Sequence, residues 1–433
     1  MKNIIILISI LWIGVQAQQM LSLEDAIRIG LDKNFSIRIA RNNVQIAENS
    51  RGLGTAGFLP SLDVQGNAQY IDSKQETNSP FSFGNSQTRS LNGQILLNWT
   101  VFDGFRMFVD NTRFNRLADL GEAQARNVIE NSIVAILAAY FDLVQQQQLL
   151  EVARNTLEIS ETRLNKEKIR RDIGGASSTD FLNAQVSYNN DKASLINQEL
   201  RVTVALKDLN ILLGQKPDTP LVVEQEIKIP AVIKSFDELL DLALERNSIL
   251  IVAEQNVQIS QQDLKLAKSN FSPRVSLSSS YNYLDRTISG SSRFDGDIES
   301  KNKDGLIGLN LSWNLFNGFR HKIELQNARI DAKNEELAYQ DTRNQIEGLL
   351  REVYQTFNKR LELIELEEQN VVAARQNLQL LQDRYDIGGA TFLEYRDAQV
   401  NLNRAQITLI VARFQSRITR LEIERLTGNL EIN

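Results

Sequence analysis

The chain has 433 residues, a net charge of −6, no cysteine and a single histidine. The acidic balance argues against nucleic-acid binding, and the lack of thiols excludes disulfides, thiolate metal sites and cysteine nucleophiles. The sequence holds no nucleotide-binding loop, histidine acid–base pair or metal-ligand cluster. His321, at the head of a long helical stretch, reads as a surface residue, and paired acids such as Glu367-Glu368 read as solvated helix faces. No enzyme, no cofactor and no metal are expected.

Lys2, the apolar run Ile4 to Val15 and the ending Val15-Gln16-Ala17 predict a secretory signal peptide over 1–17. No cysteine follows it, so a lipid anchor is not expected. The remainder is expected to carry no long apolar run and no membrane-spanning helix. Ser22-Leu23-Glu24-Asp25 opens a helix at capping-box spacing. Asn34 marks a break in it, and the helical pattern continues towards Pro60.

After Pro60 the period changes from 3.6 to 2. Leu62, Val64, Gly66, Ala68 and Tyr70 alternate with Asp63, Gln65, Asn67 and Gln69. Leu91, Ile95, Leu97, Trp99 and Val101 stand opposite Asn92, Gln94, Asn98 and Thr100. These form a β-hairpin over 60–103 with a polar loop at 74–89. From Gly104 to Asp172 there is no proline and one internal glycine, Gly121, which predicts one continuous helix. At ~1.5 Å per residue it spans roughly 100 Å. Leu150, Ala153, Leu157 and Leu164 give it a coiled-coil seam. Asp172-Ile173-Gly174-Gly175-Ala176 then turns the chain into a helix over 178–214.

The same pattern is written a second time. The five turn residues recur at Asp386-Ile387-Gly388-Gly389-Ala390, a shift of 386 − 172 = 214. Trp99 matches Trp313 at this shift, as do Phe102 and Phe316, Gly104 and Gly318, Ala184-Gln185-Val186 and Ala398-Gln399-Val400, and Gly214 and Gly428. Nearer the N-terminus the shift is 213, matching Asn34 with Asn247. The first repeat covers 22–214. The second covers 235–428, with a β-hairpin at 273–317, a loop at 285–304, a long helix at 318–386 and a helix at 392–427. Pro217, Pro220 and Pro230 mark the linker 215–234. Adjacent glycines end a helix well, and Ser177 with Asp180, like Thr391 with Glu394, has the capping-box spacing that starts the next. Each stretch therefore reads as the tip of a helical hairpin. In each repeat the two shorter helices together match the long one in length, and the simplest packing stacks them end to end along it.

The alternating strands fit a half-buried soluble sheet or the wall of a transmembrane barrel, apolar to lipid and polar to the lumen. Three features favour the barrel. Each run reaches the ~9–11 residues that a tilted membrane strand needs. Trp99, Phe102, Trp313 and Phe316 lie where strands end, as membrane-interface aromatics do. The connecting loops are long and polar. Four strands cannot close a spanning barrel, whose minimum is about eight, and lipid does not tolerate open edges. Several chains must therefore share one barrel, and strand arithmetic leaves two or three copies open.

In order along the chain, Ser22-Leu23, Asp25-Ala26, Pro60, Val101-Phe102-Asp103-Gly104, Leu315-Phe316-Asn317-Gly318 and Arg384-Tyr385-Asp386-Ile387-Gly388 with Ala398-Gln399 form a duplicated set. It resembles the TolC-like outer membrane efflux proteins, also called outer membrane factors, over essentially the whole mature chain. The resemblance implies a mainly α, internally duplicated fold. Its long coiled-coil hairpins would form a trimeric α-barrel, and four strands per chain would join a shared 12-stranded transmembrane β-barrel, with 215–234 in an equatorial belt. It implies a protein of the cell outer membrane that extends into the periplasm. Its function would be the passive exit duct of a tripartite efflux or type I secretion system, partnered by a periplasmic adaptor and an inner membrane transporter.

The resemblance also implies a periplasmic gate of carboxylates at Glu394 and Asp397, with Asp180 and Asn183 as first-repeat equivalents. For Glu394 the capping box with Thr391 is a competing role, and the two can coexist. Adaptor docking is implied at the tips 171–177 and 385–391, around Gly174, Gly175, Gly388 and Gly389. A secreted periplasmic coiled-coil scaffold or adhesin without a pore is the rival reading. It accounts for the rods but not for four alternating strands set identically in two repeats.

Overall fold

The computed structural model describes residues 20–74, 85–173, 178–224, 234–290 and 296–430. The expected signal peptide 1–17 and the tip glycines Gly174 and Gly175 lie outside the described residues. The chain runs β1 (Met20–Leu21), α1 (Leu23–Lys33), α2 (Phe35–Asn49), β2 (Ser61–Ser73), β3 (Ser86–Phe102), α3 (Arg106–Asp172) and α4 (Ser178–Leu212). It continues with β4 (Val222–Val223), α5 (Phe236–Arg246), α6 (Ser248–Ser269), β5 (Arg274–Ser289), β6 (Ile298–Ser312), α7 (Arg320–Asp386) and α8 (Phe392–Leu426).

The duplication is carried into the elements. Helices α3 and α7 have 67 residues each, offset by 320 − 106 = 214. Helices α4 and α8 have 35 each, offset by 392 − 178 = 214. The second helices differ: α2 ends at Asn49, whereas α6 continues to Ser269. Gly52, Gly54 and Gly57 follow Asn49, and the matching stretch before Pro273 has no glycine. Glycine pays more backbone entropy in a helix than any other non-proline residue, so the first copy unwinds early.

The chain divides into two compact units. One holds the described residues up to Asn42, Gln124–Leu250 and those from Arg343 onward. Its main core gathers Ile27 of α1, Ile133, Ile136, Leu137, Tyr140, Phe141, Leu143 and Val144 of α3, Leu209 and Leu213 from α4 and its end, and Leu421 of α8. This corrects the expectation of no long apolar run beyond the leader. Helix α3 contains a window of mean hydropathy 1.4, which by length and composition alone would cross a membrane. The buried 39% of that window lies in the core stripe just named, packed by neighbouring helices.

Two details of this unit carry no sequence periodicity. Strands β1 and β4 pair in parallel, Met20 with Val222 and Leu21 with Val223. Buried Tyr140 reaches them from α3: its hydroxyl donates to Leu21 O at 3.0 Å and accepts from Glu224 N at 3.2 Å. The end of α4 closes against the α1–α2 junction, where a Cβ on Gly214 would stand 2.5 Å from Lys33 O. Gly428, past α8, meets Arg246 O at 2.8 Å in the same way.

The other unit holds Asn43–Ala123 and Ile251–Thr342. Its sheet is ordered β2-β3-β5-β6, antiparallel throughout. The register lines residues of one face into rows across all four strands. Leu62, Leu97, Ser279 and Ile307 form one row, and Val64, Ile95, Tyr281 and Gly305 the next. On the opposite face Gln65, Gln94, Asn282 and Asp304 form a wholly polar row. The strands reach further than the polar composition suggested. Strand β3 already starts at Ser86, and the second connection shrinks from 285–304 to 290–297. Polar residues there pair in the ladder, as Arg286 does with Ser300 and Thr287 with Glu299.

Each sheet-to-helix corner is built by a glycine–phenylalanine pair in the left-handed region, Gly104 (φ 73) with Phe105 (φ 66) and Gly318 (φ 67) with Phe319 (φ 65). A non-glycine residue with positive φ is uncommon. Here the ring is held edge-on against the strand-end aromatic, Phe105 on Phe102 at 5.4 Å and Phe319 on Phe316 at 5.4 Å.

Candidate functional site at the helical tip

Helix α7 ends in a Schellman motif. Gly389 N donates to Arg384 O at 2.7 Å and Gly388 N to Tyr385 O at 3.1 Å, with Gly388 at φ 78. Two residues later Thr391 and Glu394 form a reciprocal capping box. Thr391 N donates to Glu394 Oε2 at 2.7 Å, and Glu394 N to Thr391 Oγ1 at 3.3 Å. The Thr391 amide first, and then its hydroxyl, which donates to the same Oε2 at 2.8 Å, hold the Glu394 carboxyl below the usual glutamate range.

The first turns of α8 split cleanly by face. Phe392, Tyr395 and Ala398 are buried with Ala184 of α4 and Leu378 and Tyr385 of α7. Glu394 and Asp397 lie on the outer face and are exposed. On α4, Asp180 is half-buried in the first turn and Asn183 is exposed beside buried Ala184. The two pairs thus sit at equivalent points of two helix starts. The capping role of Glu394 is present, and its carboxylate still faces out. Of the four tip glycines named from the resemblance, Gly388 and Gly389 form the turn just described.

Beneath this surface lies a polar cluster with no distinctive sequence signal. Tyr385 and Tyr395 stack at 5.4 Å with 9° between rings. The Tyr385 hydroxyl donates to Glu167 Oε1 at 2.5 Å, and Glu167 is 1% exposed. Burial and the Glu167 contact push the Tyr385 hydroxyl far above the usual tyrosine range. Arg396 forks onto Asp191 of α4 at 2.8 and 2.9 Å. Each of these charges, read alone, looks like one more solvated position on a charged helix. Arg384-Tyr385 was visible only as part of the family motif.

The expected interface aromatics occupy matching positions in the sheet unit. Trp99 Nε1 donates to Phe58 O at 2.9 Å, and Trp313 Nε1 to Phe271 O at 3.1 Å. Each acceptor stands two residues before the proline that opens its hairpin. Both indoles stay substantially exposed, at 40% and 56%, with their polar edge satisfied, which is the amphipathic arrangement that suits a membrane–water boundary. Phe102 closes β3, whereas Trp313 and Phe316 lie just past the end of β6.

The profile of the outer membrane efflux protein family matches residues 27–215 and 239–429, one match per repeat. The chain belongs to that family. Membership makes it an outer membrane efflux channel and favours this reading over the pore-less scaffold. Among relatives of the family, the outer membrane protein TolC of Vibrio cholerae is 24% identical over 306 residues, covering 69% of this chain and 68% of that protein. The alkaline protease secretion protein AprF of Pseudomonas aeruginosa is 23% identical over 411 residues, covering 91% and 82%. The solved Campylobacter jejuni CmeC outer membrane channel superposes with a TM-score of 0.76 at 14% identity, covering 94% of this chain and 85% of that one. The chain thus has the fold of these channels, mainly helical and internally duplicated.

Proposed function

We propose that three copies of this chain close one 12-stranded barrel in the outer membrane and one α-helical barrel in the periplasm. Together they serve as the passive exit duct of a tripartite efflux or type I secretion system. The sheet carries this reading. Strands β2 and β6 each have an unpaired outer edge among the described residues. Leu62, Val64, Ile307, Leu309 and Leu311 are more than half exposed on one face. An open edge is stable alone in neither water nor lipid, and such an apolar face is not stable in water. Pairing β2 of one copy with β6 of the next removes both edges at once.

The chain has no cysteine, so the test has no background. Cysteine pairs, one on β2 and one on β6, are scanned along the strands and oxidised in isolated outer membranes. The expected product at the correct register is a covalent species of three chains. A chain that stays monomeric at every register rejects the shared barrel.

In this reading the outward-facing Glu394 and Asp397, with Asp180 and Asn183, ring the periplasmic opening and favour cations. Two such charges ~7 Å apart at an effective dielectric of ~40 repel by roughly 1 kcal/mol, enough to bias opening without locking it. The double variant Glu394→Gln/Asp397→Asn is expected to change conductance or cation preference in planar bilayers, and unchanged behaviour removes the gate assignment. The turns around Gly388 and Gly389, and the matching Gly174 and Gly175, would meet the tips of a periplasmic adaptor that links the duct to an inner membrane transporter.

A further inference from the structure

Arg163 of α3 is 3% exposed, yet none of its three guanidinium nitrogens has a hydrogen-bond partner among the described residues. Its guanidinium carbon lies 4.6 Å from the Phe392 ring centre and 5.4 Å from that of Tyr395. Cation–π attraction engages the flat face of the group but leaves its five N–H donors unused. Two nearby carboxylates are committed elsewhere. Asp191 is forked by Arg396, and Glu167 accepts from Tyr385 and lies 3.6 Å from Arg170. A guanidinium cannot escape by losing its proton, although burial and the nearby Arg396 both work against its charge. A buried, unpaired cation of this kind calls for an acceptor.

A cavity of about 500 Å³ adjoins it. Arg163, Thr162 and Lys166 of α3, Tyr385 of α7 and Tyr395 of α8 line it, and it reaches solvent past exposed Asn155 and Glu158. The Lys166 ammonium is paired with Asp386, another lining residue, at 2.5 Å. We propose that this cavity binds a small oxyanion, a carboxylate or a phosphate, with Lys166 as one cation and Arg163 as the other once its guanidinium, whose nitrogens are closed off from solvent in this structure, turns its unused N–H edge to the cavity. The planar fork matches two oxygens of such a group. Glu158 and Asp386 at the mouth would disfavour highly charged anions. Because the lining comes from both repeats, a bound anion would tie α3 to α7 and α8 beside the tip.

The test uses the full-length protein in detergent, with inorganic phosphate and acetate as probes in separate arms. Thermal unfolding is followed against chloride at matched ionic strength. In the wild-type protein the unfolding temperature is expected to rise with one or both probes in a saturable manner, and the responding arm identifies the source. Arg163→Met is expected to abolish the rise, and Lys166→Met to weaken binding about tenfold, as loss of one charge-assisted contact does. Arg163→Lys keeps the charge but loses the fork, and guards against a Met variant that fails to fold. Equilibrium dialysis of radiolabelled phosphate and acetate against the wild-type protein is independent of any variant. Absence of saturable binding by either probe, or an equal response from Arg163→Met, overturns the site.

Discussion

The carboxamide of Asn34 donates to the carbonyl of Leu212 at 2.7 Å, joining the α1–α2 break to the end of α4 across 178 residues of chain. Its Oδ1 accepts from Ile37 N at 3.2 Å, so the same side chain caps the start of α2. Asn247 repeats the arrangement, donating to Leu426 O at 3.0 Å and accepting from Ile249 N and Leu250 N at 3.0 and 3.2 Å. One side chain thus satisfies the orphan groups of two helix ends. Asn247 is only 1% exposed. Asn247→Ala is therefore expected to cost about 2–3 kcal/mol, combining a lost N-cap with a stranded buried carbonyl. Asn247→Asp keeps the acceptor and loses the donor, and should recover part of that loss. Denaturant unfolding of the detergent-solubilised protein measures both.

Three glycines separate two physical costs. Gly388 has φ 78 but open space where a Cβ would go. Gly388→Ala should therefore cost only the left-handed backbone penalty, about 1–2 kcal/mol. Gly214 and Gly428 have φ 65 and 61, and a Cβ would stand 2.5 and 2.8 Å from backbone carbonyl oxygens of Lys33 and Arg246. Gly214→Ala and Gly428→Ala should be markedly worse, because the helix end must also move away from the α1–α2 or α5–α6 junction. The order is read from thermal midpoints of the three variants, and equal losses would contradict it.

These junctions mark how far the sequence could be read. Periodicity carries the long helices, since no proline or cluster of glycines interrupts them, and exact repetition carries the pairing of elements. The break at Asn34 was legible because Asn247 repeats it. Its contact with Leu212 was not, because a side chain's distant partner leaves no local pattern. The two-residue pairing of β1 with β4 is too short to have a period at all. The apolar stripe of α3 is masked in the sequence by the charged residues that flank it on the same helix. At the tip, spacing behind the glycine turn marks Glu394 only as the capping partner of Thr391, and the pairing of Glu394 with Asp397 comes from the family resemblance. Arg163, Glu167 and Asp191 were not, since each sits in an ordinary charged coiled-coil context and is buried only through packing between repeats.

The capping box at Thr391 predicts a pH signature. Glu394 has its carboxyl held below the usual range by hydrogen bonds made only in the folded state. A depressed folded value means that the contribution is fully present above the unfolded glutamate value. It is lost as pH falls through the lower, folded value. The stability difference between the wild-type protein and Glu394→Gln should be constant from neutral pH down to the ordinary glutamate range and shrink below it. Thr391→Val, which removes the hydroxyl but keeps the amide, should raise the Glu394 carboxyl towards its ordinary value. Unfolding midpoints across acidic pH, with carboxyl titration by NMR on labelled protein, test both statements.

The rows of the sheet allow the two faces to be told apart by mutation. Leu309 pairs with Leu277 on the apolar face and is 70% exposed. Gln94 pairs with Gln65 and Asn282 on the polar face. If the apolar row meets lipid, Leu309→Arg should cost about 2–4 kcal/mol near mid-depth and less near the interfaces, because a charge in hydrocarbon is poorly solvated. Gln94→Arg would face a watery lumen and should leave folding nearly unchanged while altering ion selectivity. Trp313 marks the expected boundary, so the penalty for arginine should decline along β6 as the substitution nears residue 312. Refolding into lipid vesicles under denaturant titration gives each cost. Equal tolerance of arginine on both faces would mean that this sheet is not a membrane wall.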